Sequence, residues 1–213
     1  AVGSYYCDSY SGYPIMVNDD GNNNNGDYTV SRLTISGVGH NTIHTLNLPN
    51  NANINAVGIS PIDNKAYGIV GGVTNSPLLA RFDNDEVEYV AEVSNAATQG
   101  TFDVHGDFLY SDTDGNTTGL YRVERPDQLT GYTSSSNSSI SNQQNPTNLI
   151  SASIGGKVPD WAAIRADLGS GVANYVVGIR NSSPARVVVV KYADTATSSG
   201  SSVSILTPDS TLP

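Results

Sequence analysis

The stretch Ser111-Asp112-Thr113-Asp114-Gly115-Asn116 sets two carboxylates and an amide on alternate positions of a glycine-containing turn. Calcium takes several hard oxygen ligands at such spacing, so Asp112, Asp114 and Asn116 form the candidate metal site, with calcium as the expected ion. The run lacks the later bidentate Glu of an EF-hand loop, and an Asp-Gly hairpin turn accounts for the same residues. A second oxygen-rich run, Asn18 to Asp27, has no apolar anchor and reads as a polar connection whose Asn and Gly residues accept positive φ.

Glycoside cleavage needs two carboxyl groups held at a fixed separation. Asp103 and Asp160 fall at or beside two expected inner strands, where a central channel could gather them with Glu92 or Asp107. The histidines are His40, His44 and His105, and no Gly-x-Ser-x-Gly elbow, His-Glu-x-x-His helix or glycine-rich phosphate loop accompanies them. No catalytic residue is therefore assigned, and the expectation is a protein that is not an enzyme.

Three Asn-x-Ser/Thr patterns, at Asn116, Asn137 and Asn181, are candidate glycosylation sites. Asn137 lies in a Ser/Asn-rich insertion and is expected at the surface, whereas Asn181 is followed by Ser-Ser-Pro. Trp161, with Tyr5, Tyr6, Tyr10 and Tyr13, offers rings that could stack on sugars. The single cysteine, Cys7, excludes an internal disulfide and any cysteine-based zinc site, and a leftover thiol in a secreted chain invites an intermolecular disulfide.

The elements that would position these groups follow from composition and pattern. At 213 residues, 38% apolar and only 14% charged, the chain is long enough for a full core. Recurrent Val/Ile/Leu/Tyr runs offset chain entropy, which excludes a disordered chain. A net charge of −10 and a pI near 4.4 argue against nucleic acid and anionic membrane surfaces as partners. No apolar run approaches a bilayer span, and Ala185 to Val190, apolar apart from Arg186, is strand-sized. The opening Ala1-Val2-Gly3 matches a processed secretory product, so the expected location is extracellular or on a cell surface.

Strands are expected over Ile54 to Ser60, Lys65 to Val70, Pro77 to Phe82 and Val87 to Ala91, with Pro61-Ile62-Asp63-Asn64 as a tight turn. The grammar returns in Gly100 to Val104, Phe108 to Ser111 and Gly119 to Val123. It returns again in Asp160 to Ile164, Ala173 to Gly178, Arg186 to Tyr192 and Ser202 to Leu206. At the front, Pro14 to Val17, Tyr28 to Leu33 and Ile43 to Leu46 match the last three strands of the unit, with Ser4-Tyr5-Tyr6-Cys7 available as a fourth. The third strand of each unit holds a basic residue near its end: Arg32, Arg81, Arg122 and Lys191. Four strands repeating every 40 to 50 or so residues indicate an all-β, propeller-like fold of about four blades, spanning 1–50, 51–96, 97–155 and 156–208 of a single domain. A β-sandwich or β-solenoid would use the same strands.

The run Ile54-Asn55-Ala56-Val57-Gly58-Ile59-Ser60-Pro61-Ile62-Asp63-Asn64-Lys65-Ala66-Tyr67-Gly68, followed by Leu78-Leu79-Ala80-Arg81-Phe82, resembles the blades of a secreted β-propeller repeat family of unknown function. So do Asp107-Phe108-Leu109-Tyr110 and Gly119-Leu120-Tyr121-Arg122-Val123. The resemblance covers Ile54 to Lys191; Tyr110-Ser111 replaces the family's Tyr-Gly, and Thr133 to Thr147 is an insertion. It implies an extracellular or surface-attached module and no catalytic residues. The expected function is a structural or adhesive module that assembles through an open blade edge or its termini, with itself or other surface proteins as partners. The alternatives are a glycan-binding propeller and, further off, a glycan-active hydrolase.

Overall fold

The computed structural model describes residues 15–19, 27–34, 39–83, 86–94, 97–112, 119–149, 157–169, 171–181, 183–193 and 202–206. The fold is all-β, and the described residues form four separate antiparallel sheets with no closed barrel among them. The first sheet has three strands, β1 (Ile15–Asp19), β2 (Asp27–Thr34) and β3 (Gly39–Asn47). The second is β4 (Asn53–Ile59), β5 (Ala66–Gly71), β6 (Leu78–Phe82) and β7 (Val87–Glu92). The third is β8 (Ala97–Phe102), β9 (Phe108–Asp112), β10 (Leu120–Val123) and β11 (Thr147–Asn148). The fourth is β12 (Trp161–Asp167), β13 (Val172–Arg180), β14 (Arg186–Tyr192) and β15 (Ser202–Leu206). In every sheet the strands follow one another as a meander. Each of the four expected units contains one of these sheets, an arrangement consistent with propeller-like blades.

Alternation along the strands explains the stacking. In β5 and β6, Ala66, Val70, Leu78, Ala80 and Phe82 join a core with Tyr28, Val30 and Leu46 of the first sheet. The intervening Tyr67, Ile69 and Leu79 join a second core with Phe108, Tyr110 and Val123 of the third sheet. Leu109 and Leu120, on the other face of the third sheet, pack with Trp161, Val176, Val188 and Val190 of the fourth. A sheet with two apolar faces must be covered twice, and successive sheets do this for one another. The basic residues keep the same parity. Arg81 shares the Leu79 face, toward the third sheet, and Arg122 shares the Leu120 face, toward the fourth.

The first strands run close together, β4 beside β8 and β8 beside β12. Gly100 of β8 makes the first approach workable, because a Cβ there would lie 2.7 Å from the Phe108 ring and 2.8 Å from the Ala56 carbonyl oxygen. Gly100→Val should therefore cost about 1–3 kcal/mol by overpacking, read as a lowered denaturant midpoint with an unchanged m-value. An unchanged midpoint would show that the two strands are not in this contact.

Candidate functional site

The expected carboxylates lead to a buried polar cluster where the third and fourth sheets meet. Asp103 directly follows β8, and the turn Asp103 to Asp107 folds around its side chain. Its Oδ1 accepts the backbone N–H of His105 (2.9 Å) and of Asp107 (3.0 Å). Its Oδ2 accepts the Tyr192 hydroxyl at 2.9 Å, from the end of β14. Asp107 accepts the Arg125 N–H at 3.1 Å. Arg122, 1% exposed on β10, donates to the Ala193 carbonyl at 3.0 Å. The guanidinium also lies 3.2 Å from Glu124 and 3.8 Å from Asp107. The Glu124 contact lacks hydrogen-bond alignment, and among the described residues Nε of Arg122 has no hydrogen-bond partner. Arg122 and Asp103 thus each tie the third sheet to the residues that close β14.

The charges follow from burial. Asp107 is pushed above its ordinary value mainly by burial and by the neighbouring Asp103 charge, against the pull of the Arg125 N–H and Arg122. The Tyr192 phenol is pushed far up, chiefly by burial and then by the Asp103 carboxylate that it faces. Tyr67 repeats the device in the second sheet: its hydroxyl donates to Asp63 at 2.8 Å, and burial followed by Asp63 raises it. A phenol whose folded pKa exceeds its unfolded value contributes stability that is complete below about pH 10 and is lost as the pH rises beyond it. Urea midpoints measured from pH 8 to 11 should fall on the alkaline side. Tyr192→Phe should lower stability by about 1 kcal/mol at neutral pH and flatten that alkaline branch. An equally steep branch in the variant would remove Tyr192 from it.

Asp103 has its oxygens taken up by three donors, an arrangement that suits a structural joint better than proton transfer. Asp160 is exposed and caps its own strand, accepting the Trp161 N–H at 2.8 Å. Glu92 is the last residue of β7, in the second sheet. His105 lies in the exposed turn and its Nε2 is 3.2 Å from an Arg165 nitrogen.

Trp161 is a correction to the sequence reading. The residue is 4% exposed and packs in the core between the third and fourth sheets, so no face of its ring is offered to a sugar. Asp112 closes β9, while Asp114 and Asn116 lie outside the described residues, as do Cys7, Tyr5, Tyr6, Tyr10 and Tyr13. Among the described residues no group of three or more His, Cys, Asp or Glu is placed to hold a metal ion, and no helix is long and apolar enough to cross a membrane. Asn137 is half-buried, with Oδ1 accepting the Ser139 N–H at 2.9 Å; Asn181 is exposed, and its N–H donates to the Lys157 carbonyl at 2.7 Å.

The sheet edges carry a second feature that the sequence did not announce. The insertion doubles back over β7 of the preceding sheet: Tyr132 and Tyr89 exchange both backbone hydrogen bonds, at 2.8 and 3.0 Å. Gln143 donates to the Val90 carbonyl at 2.7 Å, and Ile140 is buried in the first core. Arg81 reaches the Leu129 carbonyl at 3.3 Å while pairing with Glu88 at 2.6 Å. The outer edge of the second sheet is therefore covered. The third sheet ends in the two-residue β11. The first sheet ends in the nine-residue β3, which among the described residues has a strand neighbour on one side only. Asn41, Thr42, Ile43, Thr45 and Asn47 are exposed along it.

No protein-family model, curated protein or solved structure matches this chain. The blade resemblance accordingly rests on the residues quoted for it.

Proposed function

We propose that this chain is an extracellular structural module that joins further copies of itself by strand addition at the outer edge of β3. The observation carrying this reading is the contrast between edges. β7 is covered by Tyr132 and Gln143, β11 is two residues long, and β3 presents Asn41 to Asn47 with no strand beyond it among the described residues. Monomeric proteins blunt long edges with charged side chains, proline or a cover. β3 has no Lys, Arg, Asp, Glu or Pro, although a bulge at Ile43 twists it locally. Ile43 is 50% exposed. The low charge and the abundance of Asn, Ser and Thr support an extracellular setting, and the full set of donors on Asp103 favours scaffold over hydrolase.

Sedimentation velocity over a wide concentration range tests the proposal. The wild-type chain should gain mass with concentration, and Thr42→Lys/Thr45→Lys should remain monomeric with its thermal midpoint unchanged. Wild-type protein that stays monomeric throughout would refute the proposal.

A further inference from the structure

The segment that covers β7, Pro126 to Pro146, is a strap between β10 and β11 that holds the edge through few groups. Tyr132 and Tyr89 exchange backbone hydrogen bonds, and the Gln143 side chain does the rest. That amide imitates a strand. Its Oε1 accepts the Thr130 N–H at 2.7 Å, while its Nε2 donates to the carbonyls of Thr130 at 2.8 Å and Val90 at 2.7 Å. Ile140 is buried in the first core and Tyr132 packs partly against it, whereas Thr133, Ser134, Ser136, Ser138 and Ser139 are exposed. The strap leaves β10 through Arg125, whose φ of 40° is a left-handed conformation unfavourable for a residue with a Cβ.

We propose that the strap is an autoinhibitory cover, and that the β7 edge beneath it is a second joining surface whose partner is β3 of another copy. The choice of partner rests on the β3 reading above. β3 has nine residues and β7 has six, so the incoming strand is long enough to replace the contacts at Tyr89 and Val90 with a ladder along all of β7. It also brings Ile43, 50% exposed, to a core rim from which Ile140 has withdrawn, one isoleucine in place of another. A cleft of about 350 Å³ already lies beside the strap, lined by Leu46 to Pro49, Glu86, Val87, Tyr89 and Thr133. The strap then decides the form of the assembly. β3 pairing with β3 is a two-fold contact that closes after two copies, whereas β3 on β7 is head-to-tail and propagates.

Tyr132→Pro/Gln143→Ala removes the two donors, the Tyr132 N–H and the Gln143 Nε2, that hold the strap to the edge. In dilute solution, peptides spanning Val87 to Glu92 should exchange at least about tenfold faster in this variant than in the wild-type chain. In concentrated solution its sedimenting mass should grow beyond that of two copies, and adding Thr42→Lys/Thr45→Lys should abolish the growth. β7 peptides that stay protected would overturn the strap as the cover, and growth that survives the lysines would overturn β3 as the partner. A labelled peptide of residues 39–47 separates this proposal from the β3 reading. It is titrated against chains carrying Thr42→Lys/Thr45→Lys, with and without the strap changes. Binding should be at least about tenfold tighter with the strap changes, and a scrambled peptide should not bind. Equal affinity would overturn β7 as an acceptor even where wild-type chains associate. The tenfold gain beside a wild-type chain that stays monomeric would sink the β3 reading and leave the acceptor edge standing. Should the double variant not fold, Gln143→Ala alone enters the same titration, and an unchanged affinity there would overturn the proposal.

Discussion

Arg122→Ala should remove about 3–5 kcal/mol of folding stability, the usual effect of deleting one member of a buried, charge-bearing cluster. That is a large share of the roughly 5–15 kcal/mol by which a domain is stable. The side chain is almost wholly buried on the face that packs against the fourth sheet, so its loss opens a void there. It also releases the Ala193 carbonyl and leaves Asp107, already raised by burial and by Asp103, without its nearest cation. Arg122→Lys should recover only part of the loss, since one ammonium cannot reproduce the guanidinium fork that spans Ala193, Glu124 and Asp107. Adding Asp107→Asn to Arg122→Ala should cost less than the sum of the single changes, because the second removes the charge that the first strands. Urea titrations of the four proteins give the coupling directly. Strict additivity would mean that Arg122 stabilises the fold without coupling to the Asp107 charge.

The second large effect concerns association rather than folding. Thr42→Lys and Thr45→Lys place charges on exposed positions of β3, where substitutions normally alter stability by less than about 0.5 kcal/mol. Across a strand-to-strand contact the same charges would repeat in both copies and repel at close range, a device by which monomeric proteins keep their edges apart. Self-association should therefore vanish while the fold persists. Lysines placed at Ser138 and Ser141, exposed on the insertion that covers β7, serve as the matched control and should leave association intact. Equal loss from both pairs of substitutions would point to net charge rather than the β3 edge as the cause.

The sheets were legible because their strands carry apolar residues at both parities, as in Ala66 to Val70 and Leu78 to Phe82, and short turn signals separate them. The three described strands of the first unit were legible too, while the fourth expected there, Ser4-Tyr5-Tyr6-Cys7, lies outside the described residues. β11 was not, since two residues carry no period. Arg122 was noticed only as a repeat marker, because a basic residue in an apolar strand gives no sign of which neighbouring sheet will cover it. The cover over β7 comes from polar residues more than forty positions away, Tyr132 to Tyr89 and Gln143 to Val90, and such pairings leave no local trace. Trp161 misled for a related reason: an aromatic residue at a strand start reads equally as an exposed platform or as core, and the facing Leu109 and Leu120 of the third sheet decide it. Asp103 was picked out as a carboxylate of interest, but its donors, two local amides and a distant tyrosine, make it a joint between sheets.

Hydrogen exchange resolved by peptide, recorded on the wild-type chain at low and high concentration, puts the central claim to the most direct test. Peptides spanning Asn41 to Asn47 should exchange quickly when dilute and become protected as concentration rises, while peptides spanning Val87 to Glu92 should be protected at both. Protection of the β3 peptides that does not change with concentration, or that rises at β7 instead, would contradict it.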